Sequence, residues 1–515
     1  MSDAATLDVA EVFRQARLQV DADPTSCTVA SADIAAPAPQ PAAAVLLPRT
    51  EPEVVRLVHL ARQERIALFP KGGGWSYTAG YQPQGRRSAI VDTRHLQTVV
   101  IDTSAGIVEA GAGVTWATLH EALAAAGRRA CSFGPLSGIG ATVGGGAAQN
   151  GGFFGAAGHG AYGDGTICGG RMVSGTGDVH VLQATDRIDG IAAPQPLVGD
   201  CGAFGIRTTV VLRTMPTPEA TEFASFDFPS AAAAVQVLAS LAGLPGLAEA
   251  YVFDPGTHAN LARTGFSVIE SAGLVDDLLR GTGGLAARLG GLVRTARAGK
   301  AFVAELNWSL HLSFDGTRAE VTQARAAATE RAVAADGEII PDVIPRVTRA
   351  RPFRRIKALL GPDGEAWLPV HGVFAAARGG PALAAVEATL ASEAATMAKH
   401  GIRTVILAVL MGPRVVIEPQ LFWPDGMTPA VRAKATTEQL DAFAARPDNP
   451  AARTAAHTLR RRLIETLDHA GATHFQIGRA YAAHPGVPGT AQAAWLALKQ
   501  KLDPNGIMNP GVLGL

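Results

Sequence analysis

The feature that most constrains this chain is a run of three glycines placed directly behind a strand signal, where Ile66-Ala-Leu-Phe-Pro70 feeds Lys71-Gly-Gly-Gly-Trp-Ser76. Glycine tolerates positive φ and close approach, so such a loop can turn successive backbone amides into one concavity. That concavity suits phosphate oxygens, and Lys71, Gly72, Gly73, Gly74, Trp75 and Ser76 are read as a pyrophosphate cradle. A lone triple glycine is more often a flexible turn. Here two further tracts follow, Gly140-Ala-Thr-Val-Gly-Gly-Gly-Ala-Ala-Gln-Asn-Gly-Gly152 and the turn Gly199 to Ile206. In the first of them, residues of uniformly small size suit a flat rigid group lying against the backbone, with Gln149 and Asn150 supplying amide hydrogen bonds. Two other glycine patterns read as turns. Gly158-His-Gly-Ala-Tyr-Gly163 fits GxGxxG but lacks the βαβ unit that gives this pattern meaning, and Gly111-Ala-Gly113 lacks the third glycine.

At 515 residues the chain needs more than one core, since single domains run to about 100–200 residues. Its 47% hydrophobic and 17% charged residues can fill globular interiors. Lys plus Arg equals Asp plus Glu at 45 each, so no net field gathers nucleic acid or an anionic membrane, and a small-molecule partner is expected. Cys27, Cys131, Cys168 and Cys201 fit neither a disulfide framework nor paired metal knuckles. They suit a reducing compartment. The N-terminus shows no apolar core of signal-peptide type, and runs such as residues 404–411 fall short of the ~20 that a membrane span needs. A cytoplasmic protein without a metal site is the expectation, and a homodimer is compatible with it.

Residues 36–43, rich in Pro and Ala, read as extended, so residues 1–45 are taken as an N-terminal extension with order beginning beyond it. Thr50 and Glu53 form a capping-box pattern ahead of Val54, Leu57, Val58 and Ala61 at helical spacing. Strand-like segments at 89–91, 106–114, 171–174, 179–184 and 208–213, with a helix at 115–126, make residues 46–217 an α+β domain. Beyond Met215-Pro-Thr-Pro218, Ala-rich helical segments at 230–242, 318–335 and 381–400 alternate with strand-like 302–314, 367–375, 404–410 and 414–423. Residues 218–485 thus read as an antiparallel sheet backed by helices. A helix at 491–502 and a Pro- and Gly-punctuated tail make 486–515 a separate C-terminal segment.

Five motifs together resemble the FAD-linked oxidases and dehydrogenases of the vanillyl-alcohol oxidase and p-cresol methylhydroxylase fold. They are Phe69-Pro-Lys-Gly-Gly-Gly-Trp-Ser76, Gly140-Ala-Thr-Val-Gly-Gly145, Gly175-Thr-Gly-Asp178, Cys201-Gly-Ala-Phe-Gly-Ile206 and Leu502-Asp-Pro-Asn-Gly-Ile-Met-Asn-Pro-Gly511. The resemblance implies a two-subdomain FAD-binding domain, a cap domain whose sheet covers the isoalloxazine ring, and a C-terminal segment that returns to the FAD domain. It implies that Gly72 to Ser76 cradle the pyrophosphate. Pro135, Leu136, Gly140, Ala141, Thr142, Gly145 and Gly146, with Gly152 beyond them, would line ribityl and flavin. Gly205 and Ile206 would meet the adenine end through their backbone, and Asn509 would lie near the ring. Trp75 stands where members that tether FAD carry histidine, and Gly140 and Ala141 lie where others carry a tethering cysteine, so non-covalent FAD is expected. Phe475-Gln476 replaces the Tyr-Arg pair of phenol-oxidising relatives, which argues against a para-phenol substrate. The HxxGDGN-like motif of metal-assisted hydroxy-acid enzymes is absent.

Hydride removal from a carbon bearing oxygen or nitrogen needs a base and an anchor. His371, in Trp367-Leu-Pro-Val-His-Gly372, is one candidate base, with a structural histidine the equal alternative. In Val415-Val-Ile-Glu-Pro-Gln-Leu-Phe422, strand alternation puts Glu418, Gln420 and Phe422 on one face and Val415 and Ile417 on the other. Glu418 is then a base or the orienter of one, although a carboxylate on a strand is more often simply solvated. His474, Arg479 and Tyr481 cluster before the C-terminal segment, where Arg479 would pin an anionic group or form an interface ion pair. The run Arg349 to Arg355 reads as solvated surface. The expected function is FAD-dependent removal of a hydride from a C–OH, C–H or C–N carbon of a small organic substrate, with electrons passing to oxygen or a redox partner. The alternatives are redox-neutral chemistry of the ether-lipid synthase type, whose substrates are acyl phosphates, and a non-catalytic FAD-binding relative.

Overall fold

Residues 8–85, 87–183, 187–188, 191–192, 197–264, 303–350, 352–353, 360–481 and 489–515 are described by a computed structural model of the chain. Of the expected segments, residue 184 at the end of one strand and residue 302 at the start of another lie outside these.

Helix Glu51–Glu64 starts where the Thr50 side chain accepts the Glu53 N–H, and it buries Val54, Leu57, Val58 and Ala61 as their spacing requires. It crosses over between strands Ala44–Leu46 and Ala67–Lys71, which flank Ser88–Asp92 in parallel. This first sheet corrects the expected N-terminal extension. Val20–Asp21 pairs antiparallel with Ala44–Leu46, and helix Val9–Gln15 packs Val9, Val12 and Phe13 into the same core as Leu57 and Leu68. The Pro/Ala segment connects ordered elements; it does not precede them. The tail closes the sheet's other edge, where Leu68 N–H donates to Ile507 O and Asn509 N–H donates to Leu68 O, each at 2.8 Å.

The second sheet is antiparallel and built on the long strand Gly205–Pro216, which pairs with Ile107–Gly111 on one side and Ile167–Ser174 on the other. Val99–Asp102 and Val179–Gln183 extend it outward, and Arg128–Ala130 pairs with its far end. The small-residue tract beside it carries a helix, Val143–Gln149. Glycine is among the poorest helix formers, so its local pattern gave no helix signal. Thr142 caps the N-terminus through Gly145 N–H, and Asn150 ends the helix at φ 50°.

The third sheet runs Glu338–Ile340, Ala220–Phe228, Trp308–Gly316, Leu247–Phe253, Arg403–Met411, Arg414–Trp423 and Ala366–Pro369, with Gly372–Ala375 also on Arg414–Trp423. Every pairing is antiparallel. Alternation gives it two apolar faces. Ala408, Leu410, Val415 and Ile417 join a core with helices Ala231–Ser240, Gly379–Ser392 and Pro450–His469, whereas Val409, Met411 and Val416 share a core with Trp116, Phe154 and Tyr162 of the second-sheet region. The latter face carries the site.

A buried ionic cluster fixes the two parts together. Asp315 accepts from Arg129 and Arg349, each at 2.5 Å. Arg349 also pairs with Glu249, whose other oxygen accepts Gly155 N–H at 2.7 Å. Arg349 therefore departs from the solvated surface expected for its run: its side chain is only 14% exposed. Arg351, Arg354 and Arg355 lie outside the described residues.

Candidate functional site

Strand Ala67–Lys71 ends on a buried lysine, and the chain then turns through Gly74 at φ 68°. A Cβ on Gly72 would strike the Thr142 hydroxyl, and one on Gly73 the Gly140 carbonyl oxygen, so the glycine loops lie in direct contact. Among the described residues, no protein acceptor takes the backbone N–H of Gly72, Gly73, Gly74, Trp75 or Ser76. The second tract behaves differently. Its Gly144, Gly145 and Gly146 N–H groups donate to Ala112 O, Thr142 Oγ1 and Thr142 O. The first loop thus supplies free donors, and the second supplies a floor without side chains.

Two ammonium groups stand beside the free amides. Lys71 Nζ donates to Ala30 O at 2.8 Å, and Lys434 Nζ lies 5.6 Å from the Trp75 ring centroid. Burial, then repulsion from Lys434, lowers Lys71 to about 7, while burial and Arg94 lower Lys434 to about 8. Asp92 is the nearby anion, and it is paired with Arg94. Excess positive charge beside unsatisfied N–H groups fits a diphosphate.

These residues open onto one cavity of about 320 Å³, within the ~300–1,000 Å³ of ordinary small-ligand sites. On its wall the buried Tyr162 hydroxyl has no partner among the described residues, and its ring stacks on Trp116 at 4.6 Å. Free amides, an orphaned phenol and a glycine floor together fit a long phosphate-bearing ligand with a flat end.

The opposite wall comes from the third sheet. Leu407, Val409 and Met411 of one strand, and Val416, Glu418 and Gln420 of the next, face the cavity. Trp367 and Phe475 complete an apolar surround. What area Glu418 exposes faces this cavity, and enclosure there pushes its carboxyl up to about 7, against the pull of its bond from Gln420. Gln420 Nε2 donates to Glu418 Oε1, and Trp367 Nε1 donates to Gln420 Oε1, each at 2.8 Å. The lysine and arginine on the described wall, Lys71 and Arg207, both belong to the first two sheets.

Several expected residues sit elsewhere. His371 is fully buried off the described wall; its Nε2 meets Phe475 O at 2.5 Å and its Nδ1 meets the Tyr481 hydroxyl at 3.2 Å. Burial lowers it to about 3, so with both nitrogens engaged it is corrected from base to structural tie. His474 bridges His371 O and Asp468, while the Tyr481 hydroxyl accepts His371 N–H at 3.0 Å. Arg479 donates to Ala79 O, Asn509 Oδ1 and Pro510 O. Asn509 donates to Gly80 O and Cys201 O and is fully buried behind the wall. Of the three residues before the tail, His474 and Tyr481 stack at 4.3 Å between ring centroids, whereas Arg479 turns to Asn509 and backbone carbonyls.

Of the expected cofactor residues, Lys71 to Ser76, Pro135, Leu136, Ala141, Thr142, Gly145, Gly146, Gln149 and Gly152 line the cavity. Gly140 packs behind Gly73 and Trp75, and Asn150 accepts Gly163 N–H. Gly205 and Ile206 pair with Ser174 and Val173, so Cys201, Gly202 and Arg207 reach the cavity in their place. Sequence reasoning missed Tyr77, Tyr162, Trp367 and Met411 as wall residues. Tyr162 lies inside the GxGxxG pattern set aside as a turn, where its aromatic ring was the available signal.

Residues 42–183 match the model of a family described as "FAD binding domain". An alkyldihydroxyacetonephosphate synthase of Trypanosoma brucei brucei is 31% identical over 204 residues, covering 37% of this chain and 32% of that protein. The chain thus matches about a third of the length of its curated relatives. Among solved structures, a p-cresol methylhydroxylase with substrate bound aligns with TM-score 0.71 at 16% identity, covering 98% of this chain and 96% of the other. The 4-ethylphenol oxidase of Gulosibacter chungangensis aligns with TM-score 0.69 at 17% identity, covering 100% and 98%. No helix among the described residues is long and apolar enough to cross a membrane.

Proposed function

We propose, from the premise that this chain is an FAD-binding flavoprotein with the p-cresol methylhydroxylase fold, that it oxidises a small uncharged organic substrate at a carbon bearing a hydroxyl group. Bound FAD supplies the two-electron acceptor for the hydride, its electrons then passing to oxygen or a redox partner. The protein's part is to hold FAD on the Gly72–Ser76 amides without a covalent tether, exclude water with the third-sheet wall, and take the hydroxyl proton on Glu418.

The observation that carries this reading is Glu418, a carboxyl raised by burial to about 7 and bonded to Gln420 on a mostly apolar wall opposite the glycine loops. A base poised near the working pH is what proton abstraction needs. Anaerobic mixing of the yellow protein with a panel of alcohols and hydroxy acids is the test. Bleaching by an uncharged alcohol supports the reading; bleaching by none of them overturns it.

The curated relatives favour a second reading, since both are named alkyldihydroxyacetonephosphate synthase. A redox-neutral transferase would turn over a phosphorylated lipid precursor with no bleaching. Against it stands the third-sheet wall, which places no lysine or arginine on the described cavity surface for a phosphate to meet.

A further inference from the structure

We infer that Gln420, pinned by the indole of Trp367, is the positioning residue that assigns proton transfer to one oxygen of Glu418; this rests on the reading of Glu418 as the base. An indole N–H only donates, so Gln420 must present its carbonyl oxygen to Trp367 and its NH₂ to Glu418. The flipped amide would set NH₂ against N–H and carbonyl against carboxylate, losing both bonds. Glu418 Oε1 is therefore an acceptor whether the carboxyl is charged or neutral, and the proton forms its bond on Oε2 as the substrate O–H bond breaks.

Backbone register holds the three groups. Trp367 lies opposite Phe422 and Pro369 opposite Gln420, while Glu418 lies opposite Leu407 on the next strand. The Tyr77 ring braces Trp367 edge-on at 5.7 Å between centroids. Among the described residues, the ionisable groups around Glu418 are the Tyr77 and Tyr481 phenols, kept neutral by burial, with Arg460 behind them donating to Tyr77 O at 3.1 Å. Gln420 is the hydrogen-bond donor recorded to Glu418 among the described residues, so the carboxylate depends on it.

The test is infrared titration of the FAD-loaded protein, following the protonated carboxyl stretch that Glu418→Gln removes. In Gln420→Met, which keeps the length and loses the donor, the midpoint should rise by about one pH unit. Trp367→Phe, which frees the amide to flip, should move it the same way by less. The base-dependent limb of anaerobic flavin reduction should shift upward in parallel, and retained flavin absorbance confirms the fold of each variant. An unchanged midpoint in both Gln420→Met and Trp367→Phe would overturn the relay even if Glu418→Gln is inactive. Wild-type flavin reduction in Glu418→Gln would instead overturn the base assignment, while a shifted carboxyl band would still show the relay.

Discussion

At the scale of single residues, the fixed period of a strand let sequence alternation put Glu418 and Gln420 on one face, and both line the cavity. Glu418→Gln should slow flavin reduction by about 10²–10⁴-fold while FAD stays bound, measured by anaerobic stopped flow. Because burial raises this carboxyl to about 7, the wild-type rate should climb as pH rises through that value and the base loses its proton. His371 was equally visible, its base and structural readings evenly weighted, yet hydrogen-bond satisfaction has no sequence signature. Only three-dimensional contact shows that Phe475 O and Tyr481 occupy its ring nitrogens. His371→Ala should leave reduction intact and lower stability by about 1–3 kcal/mol through the unpaired buried groups, read by denaturant unfolding. Its depressed pKa means that the stability it contributes is complete above the ordinary value near 6.5 and is lost as pH falls toward 3.

At the scale of elements, the glycine loops were legible because only glycine permits their contact, but which of their amides stay free was not. The structure divides the labour. The Gly144 to Gly146 amides serve the capped helix Val143–Gln149 and its neighbours, whereas those of Gly72 to Ser76 find no protein acceptor among the described residues. The N-terminal elements were missed because two short helices around a two-residue strand carry too little periodicity to outweigh a Pro/Ala segment. Gly73→Ala would push a methyl into the Gly140 carbonyl and part the two loops. The variant should purify colourless, and flavin absorbance comparable to wild type would argue against the contact. Acid precipitation of the wild-type protein should release the flavin to the supernatant, since Trp75 occupies the tethering position of the resembling family; colour in the pellet would reveal a covalent link.

At the scale of the whole molecule, the sequence showed a texture change after Pro218 but not what fastens the parts. Charges far apart in sequence, Arg129, Glu249, Asp315 and Arg349, converge only in the fold. Arg349→Met leaves Glu249 unpaired in a buried setting and should cost about 3–5 kcal/mol, seen as a lower unfolding midpoint. Flavin binding turns on amides that receive a diphosphate. Fluorescence titration of flavin-free protein with FAD and with riboflavin, which shares the ring and lacks the phosphates, tests this directly. Saturable one-to-one quenching by FAD, with riboflavin bound far more weakly, is the predicted result. Protein that takes up no FAD, or that binds riboflavin equally well, would contradict it.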